Sequence, residues 1–315
     1  MPKVSVIMNC YNSDAFLREA IDSVYAQTFG DWEIIFWDNQ STDESAAIAQ
    51  SYDARLRYFR AEEFLPLGAA RNRALAQATG ELVAILDCDD IWKPEKLERQ
   101  VKLFETDPAI GVVYSNCDIV DQAGGFLGLM LAERQLCAGE VFAQLMLFKF
   151  FPPWPTVVIR KSVCGEFQAY KIMEDYDLLL RIAYQSRFGY IADSLAKYRT
   201  HPHQASRDYQ VTLREQLAVC ETWAKHPDFQ GRERGRLISK ARARSYISAA
   251  TTALYQKSDA ALVRDYLRQS LREELSVRAV FYFAASLLGL QRAGRLLGRL
   301  RSTLGYSQNL HAAQD

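Results

Sequence analysis

The feature that most constrains the fold is an apolar run, residues 83–86, that ends abruptly in Asp87, Asp89 and Asp90. An uninterrupted apolar stretch of this length is typical of a strand buried on both faces. Carboxylates this close raise one another's pKa unless a cation neutralises them. Magnesium and manganese ions prefer such oxygen ligands and also hold phosphates. The stretch therefore predicts a metal-nucleotide site at a strand end. A capped turn, in which Asp90 caps the following helix, is the alternative.

Composition sets broader limits. A chain of 315 residues favours about two domains. It begins without a charged segment followed by an apolar one, so we expect a cytoplasmic protein. Its six cysteines form no C-x-x-C pair, which argues against a zinc or redox site. The net charge is zero, yet residues 205–315 carry 18 Lys and Arg against 10 Asp and Glu. This asymmetry predicts an anionic partner for the C-terminal region.

Strand and helix patterns alternate up to residue 115. The strands are predicted at 3–9, 32–37, 55–60, 82–86 and 110–114. Alternation with short connections predicts a parallel sheet with helices on both faces. Such sheets bind ligands beyond the C-terminal ends of their strands. Three segments rich in acids or amides follow strands at that edge, namely 9–12, 38–43 and 87–90. We therefore expect them to share one binding rim.

The second half of the chain has a different pattern. Residues 116–155 are irregular, and we predict a strand at 156–160 and a helix that begins at Glu174. Two further strands are predicted at 188–192 and 195–200. Beyond residue 205 the strand pattern stops, and the amphipathic periodicity predicts three helices, at 207–226, 231–257 and 259–273. The chain is therefore predicted to divide near residue 205.

Six short motifs, taken in order, resemble those of family 2 glycosyltransferases, which have the GT-A fold. They are the opening strand and loop at 4–12, an acidic motif at 38–43, a G-x-x-R-N helix start at 68–72, an Asp-x-Asp motif at 86–90, a Glu-Asp motif at 174–178 and a closing block at 198–201. The resemblance implies an α/β fold with a mostly parallel, Rossmann-like nucleotide-binding sheet and helices on both faces. It assigns residues 1–205 to a catalytic domain, with a nucleotide-binding half (1–115) and an acceptor half (116–205). A helical region at 206–315, which the resemblance does not cover, follows it.

The resemblance also implies which residues bind a nucleotide-sugar donor. Asp38 would contact the nucleobase, with Tyr11 flanking it. Asp87 would bond the ribose. Arg71 would lie near the donor, unless it only pairs with a neighbouring carboxylate. The chain departs from the family pattern at Gln40, where glycine is frequent, and this leaves the geometry of that turn open.

A metal site and a base follow from the same motifs. Asp89 would ligate a divalent cation, Mn²⁺ or Mg²⁺, and His201 would approach the metal or the diphosphate, with His203 as a rival ligand. Asp175 would be the general base, with Glu174 as its rival. We expect Asp175 to be ionised, because the N-terminus of a helix favours negative charge.

The activity implied by the resemblance is that of an inverting glycosyltransferase of the hexosyltransferase type. A UDP-sugar would donate a sugar to a hydroxyl of a sugar or lipid-linked sugar, in cell-surface polysaccharide or glycolipid assembly, and no nucleic acid is expected as a partner. A sugar-1-phosphate nucleotidyltransferase is one alternative, but residues 9–13 lack the Gly-rich basic loop of such enzymes. A catalytically silent sugar-binding module is the other, and the intact acids at 87, 89 and 175 argue against it.

The C-terminal region contains an uncharged run of 13 residues, 279–291. It is too short to span a bilayer, which takes about 20 residues. Arg292, Arg295 and Arg299 then lie on one face of a helix. We predict that 276–302 is an amphipathic helix on the anionic inner face of the membrane. Packing of this helix on the catalytic domain is the alternative.

Overall fold

The computed structural model describes residues 1–131, 137–201, 208–256 and 258–287. The chain divides into two compact units. The first comprises Met1–Phe142 and Phe150–His203, and the second comprises Ala143–Lys149 and Gln204–Gln314.

The strands are β1 (Val4–Cys10), β2 (Trp32–Asp38), β3 (Leu56–Arg60), β4 (Leu82–Ile85), β5 (Ile91–Trp92), β6 (Ile110–Val120), β7 (Phe126–Leu129), β8 (Val158–Arg160) and β9 (Arg187–Arg199). The first helices are α1 (Asp14–Tyr25), α2 (Ser45–Gln50), α3 (Leu67–Gln77), α4 (Lys96–Thr106), α5 (Phe142–Met146) and α6 (Glu174–Gln185). The later helices are α7 (Tyr209–Lys225), α8 (Arg232–Tyr255), α9 (Ala260–Glu273) and α10 (Val277–Leu287).

The sheet of the first unit has the strand order β3-β2-β1-β4-β8-β6-β9-β5, and β7 pairs with β6. Strands β1 to β4 are parallel, whereas β8 runs antiparallel to both β4 and β6. Strands β6 and β9 are parallel again. The four N-terminal strands therefore end together at one edge, where ligands of parallel sheets bind.

Apolar side chains cover both faces of this sheet. On one face, Val6 and Met8 share a core with Leu17 of α1 and Leu97 of α4. Successive strand residues point to opposite faces, and the intervening Ile7 is also fully buried. Burial on both faces explains why these strands read as unbroken apolar runs. The predicted fold class, an α/β sheet followed by a helical C-terminal region, is confirmed.

One local prediction was wrong, and the alternative in which Asp90 caps a helix is not what the structure shows. Instead of two strands at 188–192 and 195–200, β9 is one strand whose pairing with β6 shifts register around Asn116, and the shift accommodates the polar residues between them. Asp90 does not cap α4: the cap residue is Glu95, and the Asp90 carboxylate binds the Arg199 backbone N–H instead. The polar bulge and the long-range partner both lie beyond what local periodicity reports.

The second unit is helical. Its described helices α7 to α10 pack in sequence around small and branched side chains such as Ala253, Val263 and Leu267. The side chains of Asp208 and Asp259 cap α7 and α9 by accepting backbone N–H bonds. Within the described ranges, no helix is long and apolar enough to cross a bilayer. The predicted amphipathic helix at 276–302 lies beyond residue 287 for most of its length, outside the described residues.

Candidate active site

The polar segments predicted to share a rim do lie at one edge of the sheet. Strand β1 runs parallel to both β2 and β4, so Cys10, Asp38 and the turn after Ile85 are neighbours. Helix α3 begins at the same edge, because it follows the C-terminal end of β3. Its Arg71 contacts both Asp87 and the first residue of α6. Four separate stretches of sequence therefore meet where the parallel strands end.

Asp38 is fully buried at the end of β2 and is held by three donors. The Tyr58 hydroxyl and Arg60 Nη1 donate to its Oδ2 at 2.6 and 2.7 Å, and the Ser41 N–H donates to Oδ1 at 2.7 Å. A carboxylate offers about four acceptor positions, and these bonds occupy three of them. These donors fix the orientation that a carboxylate would need to recognise a nucleobase.

The turn after Asp38 contains a residue in the left-handed region of backbone conformation. Gln40 has a backbone φ of +72°, which residues other than glycine rarely adopt. This conformation explains why glycine suits this position. Its amide Nε2 donates to the Ala61 carbonyl, and Asn39 exchanges two bonds with the backbone of Leu65. The cost of the Gln40 backbone is thus offset by bonds that tie the turn to the loop at 61–66.

That loop carries Phe64, which the sequence reading did not select. Phe64 and Tyr11 are 59% and 51% exposed, and their ring centroids lie 4.9 Å apart in an edge-to-face contact. Two large exposed aromatic rings beside the Asp38 turn could stack on a base. The sequence signal that was available is a single aromatic residue in an otherwise polar stretch, Ala61-Glu62-Glu63-Phe64.

Arg71 is a buried cross-link. Its Nη2 donates to Asp87 Oδ1 at 3.0 Å and its Nη1 donates to Glu174 Oε1 at 2.8 Å. The guanidinium also lies over the rings of Trp154 and Phe167. Of the two predicted roles, pairing with a carboxylate is the one that these contacts show, and only 4% of its side chain is exposed. Arg71 thus joins the end of β4 to the start of α6.

The two candidate bases at the start of α6, Glu174 and Asp175, differ in burial and in their partners. Glu174 is buried and paired with Arg71, whereas Asp175 is partly exposed and its Oδ1 accepts the Tyr176 N–H at 2.6 Å. Burial raises the pKa of Glu174 to about 7 and the pKa of Asp175 to about 6. Loss of solvent raises the pKa of Asp175 even though its place in the first turn of α6 favours the charged form, so its predicted ionisation stays a prediction.

The candidate metal ligands lie in contact. His201 Nε2 is 2.8 Å from Asp89 Oδ2. This is a direct hydrogen-bond contact, and because a carboxylate oxygen suits Mg²⁺ or Mn²⁺ and an imidazole nitrogen is a common metal ligand, the two side chains could hold a divalent cation. Burial and the nearby Asp87 raise the pKa of Asp89, and a cation would relieve both effects. His203 lies outside the described residues.

Among the described residues, Asp89 and His201 have no third side chain beside them that would complete a set of metal ligands. No group of three His, Cys, Asp or Glu side chains converges on one point in the part of the chain that the structure describes. Asp90 is turned away, with its Oδ1 on the Arg199 N–H. Magnesium sites commonly use one or two protein ligands and complete the shell with substrate phosphates and water. Asp89 and His201 match that kind of site.

Comparison with known proteins identifies the family. Residues 5–135 match the family described as glycosyl transferase family 2. An uncharacterized glycosyltransferase of Nostoc sp. is 34% identical over 63% of this chain, and the chain covers 65% of it. One of Methanocaldococcus jannaschii is 31% identical over 63% of the chain and is covered to 71%. The Escherichia coli protein named UDP-Glc:alpha-D-GlcNAc-diphosphoundecaprenol beta-1,3-glucosyltransferase is 27% identical over 71% of the chain and is covered to 87%.

Solved structures share the fold. Staphylococcus aureus TarS residues 1–349, in complex with UDP-GlcNAc, superimposes with a TM-score of 0.68 over 94% of this chain and 92% of that one, at 18% identity. A Pyrobaculum calidifontis mannosyltransferase with GDP-Man and Mn²⁺ gives a TM-score of 0.52 over 97% and 88%, also at 18%. The chain belongs to glycosyltransferase family 2. The predicted family and enzyme class are confirmed.

Proposed function

We propose that this glycosyltransferase moves a sugar from a UDP-sugar to an acceptor hydroxyl with inversion at the anomeric carbon. The observation that carries the proposal is the meeting of Asp38, Asp87, Asp175 and the Asp89–His201 pair at one sheet edge. This edge offers an acceptor for a base, a carboxylate for a ribose, a metal site for a diphosphate and a separate carboxylate for a proton.

The donor would lie with its base between the Asp38 turn and the Tyr11–Phe64 pair. The Asp38 carboxylate accepts from the base, and the exposed rings cover it. Asp87, whose orientation Arg71 holds, accepts from the ribose hydroxyls. A Mn²⁺ or Mg²⁺ ion on Asp89 and His201 would neutralise the leaving diphosphate.

Asp175 supplies the base. Its Oδ1 is held by the Tyr176 N–H, so Oδ2 takes the proton from the acceptor hydroxyl as that hydroxyl attacks the anomeric carbon. Glu174 is the poorer choice, because its side chain is buried and paired with Arg71, whereas Asp175 is partly exposed. One displacement that breaks the bond to the diphosphate on the opposite face gives inversion without a covalent enzyme intermediate.

The acceptor is proposed to be a lipid-linked sugar at the inner face of the membrane. The name of the E. coli relative describes an acceptor on diphosphoundecaprenol. The basic C-terminal region and helix α10, which exposes Val277, Val280 and Phe281, suit an anionic lipid surface. Co-sedimentation with anionic vesicles at low and high salt checks this, and a chain truncated at residue 275 that sediments as well as the full chain would refute it.

A transfer assay tests the central proposal. Nucleotide sugars are first screened by thermal shift with Mn²⁺ or EDTA, and the best donor is then assayed for sugar release with and without saccharide acceptors. We expect binding and release of free nucleoside diphosphate that need both the metal and Asp89, so Asp89→Asn should abolish them with an unchanged Tm. Release of inorganic pyrophosphate from a nucleoside triphosphate and a sugar phosphate would identify a nucleotidyltransferase, and binding without turnover a silent module.

A further inference from the structure

We propose that Arg199 and Asp90 are positioning residues that hold Asp89 and His201 at the separation a divalent cation needs. The inference rests on the proposed metal site and concerns the residues that orient its ligands. Neither residue is proposed as a ligand of the ion. Both act through the backbone that carries the two ligands.

Arg199 joins the end of β9 to the turn after β4 by two hydrogen bonds, and it is the donor in both. The Arg199 N–H donates to Asp90 Oδ1 at 3.0 Å, and Arg199 Nε donates to the Asp89 carbonyl at 3.1 Å. The ligand Asp89 therefore has its own carbonyl fixed and its next residue bonded to β9. The proposed ligand His201 lies two residues beyond Arg199. The same two hydrogen bonds therefore fix the backbone positions from which both ligand side chains extend.

The remaining donors of Arg199 anchor this junction to two other elements. Nη1 donates to the Gln122 carbonyl at 2.8 Å, just after β6, and Nη2 donates to Glu19 Oε2 of α1 at 2.5 Å. The guanidinium lies 4.5 Å from the ring centroid of Phe16, and the same ring lies 6.2 Å from that of His201. Only 3% of the Arg199 side chain is exposed. A side chain so enclosed can hold backbone but cannot reach a substrate.

Hydrogen bonds of this kind control the distance between the two proposed metal ligands. Residues that orient metal ligands, without touching the metal, change its affinity by about 10- to 100-fold when they are removed. Here the Asp89 and His201 side chains come from stretches 112 residues apart in sequence. Their separation therefore depends on how the turn at 87–90 is connected to the end of β9. The hydrogen bonds of Arg199 and Asp90 make this connection.

Arg160 provides a matched control at the far end of β4. Its guanidinium also binds two backbone carbonyls, of Ile110 and Phe104, and one glutamate, Glu81, and it lies over a phenylalanine ring at 5.2 Å. Its β-strand register places it opposite Leu82, at the start of β4 and away from the turn. The two arginines thus make the same kinds of contact at opposite ends of one strand.

The experiment measures Mn²⁺ affinity in the presence of UDP by calorimetry, for the full chain with Arg199→Met or Arg160→Met, together with Tm. We expect Arg199→Met to raise the Kd for Mn²⁺ about 10- to 100-fold, with Arg160→Met within about 2-fold of wild type at a similar loss of Tm. UDP binding in EDTA should not change in either. Wild-type Mn²⁺ affinity in Arg199→Met would overturn the inference alone. A wild-type protein that binds no Mn²⁺ would overturn the proposed metal site, and this inference with it.

A second pair of variants serves if Arg199→Met does not fold. Asp90→Asn keeps an Oδ1 that can accept the Arg199 N–H, whereas Asp90→Ala removes it. We expect Asp90→Ala to weaken Mn²⁺ binding at least about 10-fold, as for other supporting residues, and Asp90→Asn to restore most of it. If Asp90→Ala binds Mn²⁺ like the wild type, or if Asp90→Asn is as weak as Asp90→Ala, the hydrogen bond does not position the ligands and the inference is wrong.

Discussion

Two buried glutamates, each paired with one arginine, lie at opposite edges of the same four parallel strands. Arg57 Nη1 donates to Glu33 at 2.9 Å where the strands begin, and Arg71 Nη1 donates to Glu174 at 2.8 Å where they end. The first pair has further donors: Ser5 Oγ and both the N–H and hydroxyl of Thr79 bind Glu33 Oε1. Among the described residues, Glu174 Oε2 and Arg71 Nε have no hydrogen-bond partner.

The pKa values of these two glutamates are shifted in opposite directions by their surroundings. Burial acts to raise the pKa of Glu33, but the bonds from Arg57, Thr79 and Ser5 together lower it. Burial also raises the pKa of Glu174, and the neighbouring Asp175 adds to the rise, so that Arg71 cannot compensate. An arginine partner alone therefore does not decide the ionisation of a buried carboxylate; the number of other donors and charges around it does.

Backbone geometry differs between the edges in the same way. At the beginning of the strands, Gly80 lies so close to Ser5 that a Cβ would come within 2.7 Å of its backbone nitrogen, and this approach lets the Gly80 N–H bind Ser5 Oγ. At the end of the strands, Asn12 and Gln40 have φ of +49° and +72°. At one edge the Glu33 carboxylate is fully bonded and stabilises the fold, whereas the other edge combines positive-φ backbone with the unpaired atoms of Glu174 and Arg71, as functional sites often do.

The largest expected effect is on catalysis at the C-terminal edge. Asp175→Asn keeps the shape of the side chain and removes its basicity, so we expect kcat to fall about 10³-fold with donor affinity almost unchanged. Steady-state transfer and donor calorimetry measure this. Glu174→Gln should be milder and Glu33→Gln should transfer normally. An inactive Glu174→Gln beside a normal Asp175→Asn would identify Glu174 as the base.

The N-terminal edge should respond in stability instead. Glu33→Gln replaces an acceptor oxygen by a donor among groups that already donate, and hydrogen bonds to a charged group contribute about 2 kcal/mol. We expect a loss of that size in the free energy of unfolding, measured in urea, with KM and kcat within about 2-fold of wild type. A clear loss of activity at unchanged stability would contradict the division between the edges.

The pH dependence of stability should have opposite signs at the two edges. The pKa of Glu33 is lowered on folding, so its contribution is present above the ordinary value of 4.5 and is lost as pH falls below it. The pKa of Glu174 rises from 4.5 to about 7, so its contribution is full below 4.5 and is lost as pH rises towards 7. Each pKa unit is worth about 1.4 kcal/mol. Urea unfolding of Glu33→Gln and Glu174→Gln between pH 3.5 and 7.5, roughly the range these shifts span, should show each variant losing one of the two slopes.

The smallest expected effect is on donor binding by the exposed aromatic pair. Removing either Tyr11 or Phe64 takes away one stacking surface, which is worth about 1 kcal/mol and so about 5-fold in the Kd of the donor. Tyr25→Ala is the control, because Tyr25 packs edge-to-face on Trp32 at the other edge of the sheet. It should lower Tm without changing the Kd. Equal effects of all three substitutions on donor affinity would argue against a base site beside Asp38.

Much of the fold was readable from the sequence because its causes are local. Unbroken apolar runs mark strands buried on both faces, and polar clusters after three of them mark the ligand-binding edge. The family resemblance assigned Asp89 and His201 to one site, and their side chains lie 2.8 Å apart. The strand at 187–199 was divided in two because its polar bulge interrupts the pattern that periodicity detects.

Only the tertiary structure decided which charged groups meet. Arg71 lies 103 residues from Glu174, and Arg199 lies 110 residues from the Asp89 carbonyl that it binds. No spacing rule connects such residues, because their contact depends on the packing of whole strands and helices. Burial is collective in the same sense: it raised the pKa of Asp175 although its helix position favours the charged form. The sequence determined which polar groups lie at the sheet edge, and packing determined which carboxylate is paired, which is partly exposed and how Asp89 and His201 come into contact.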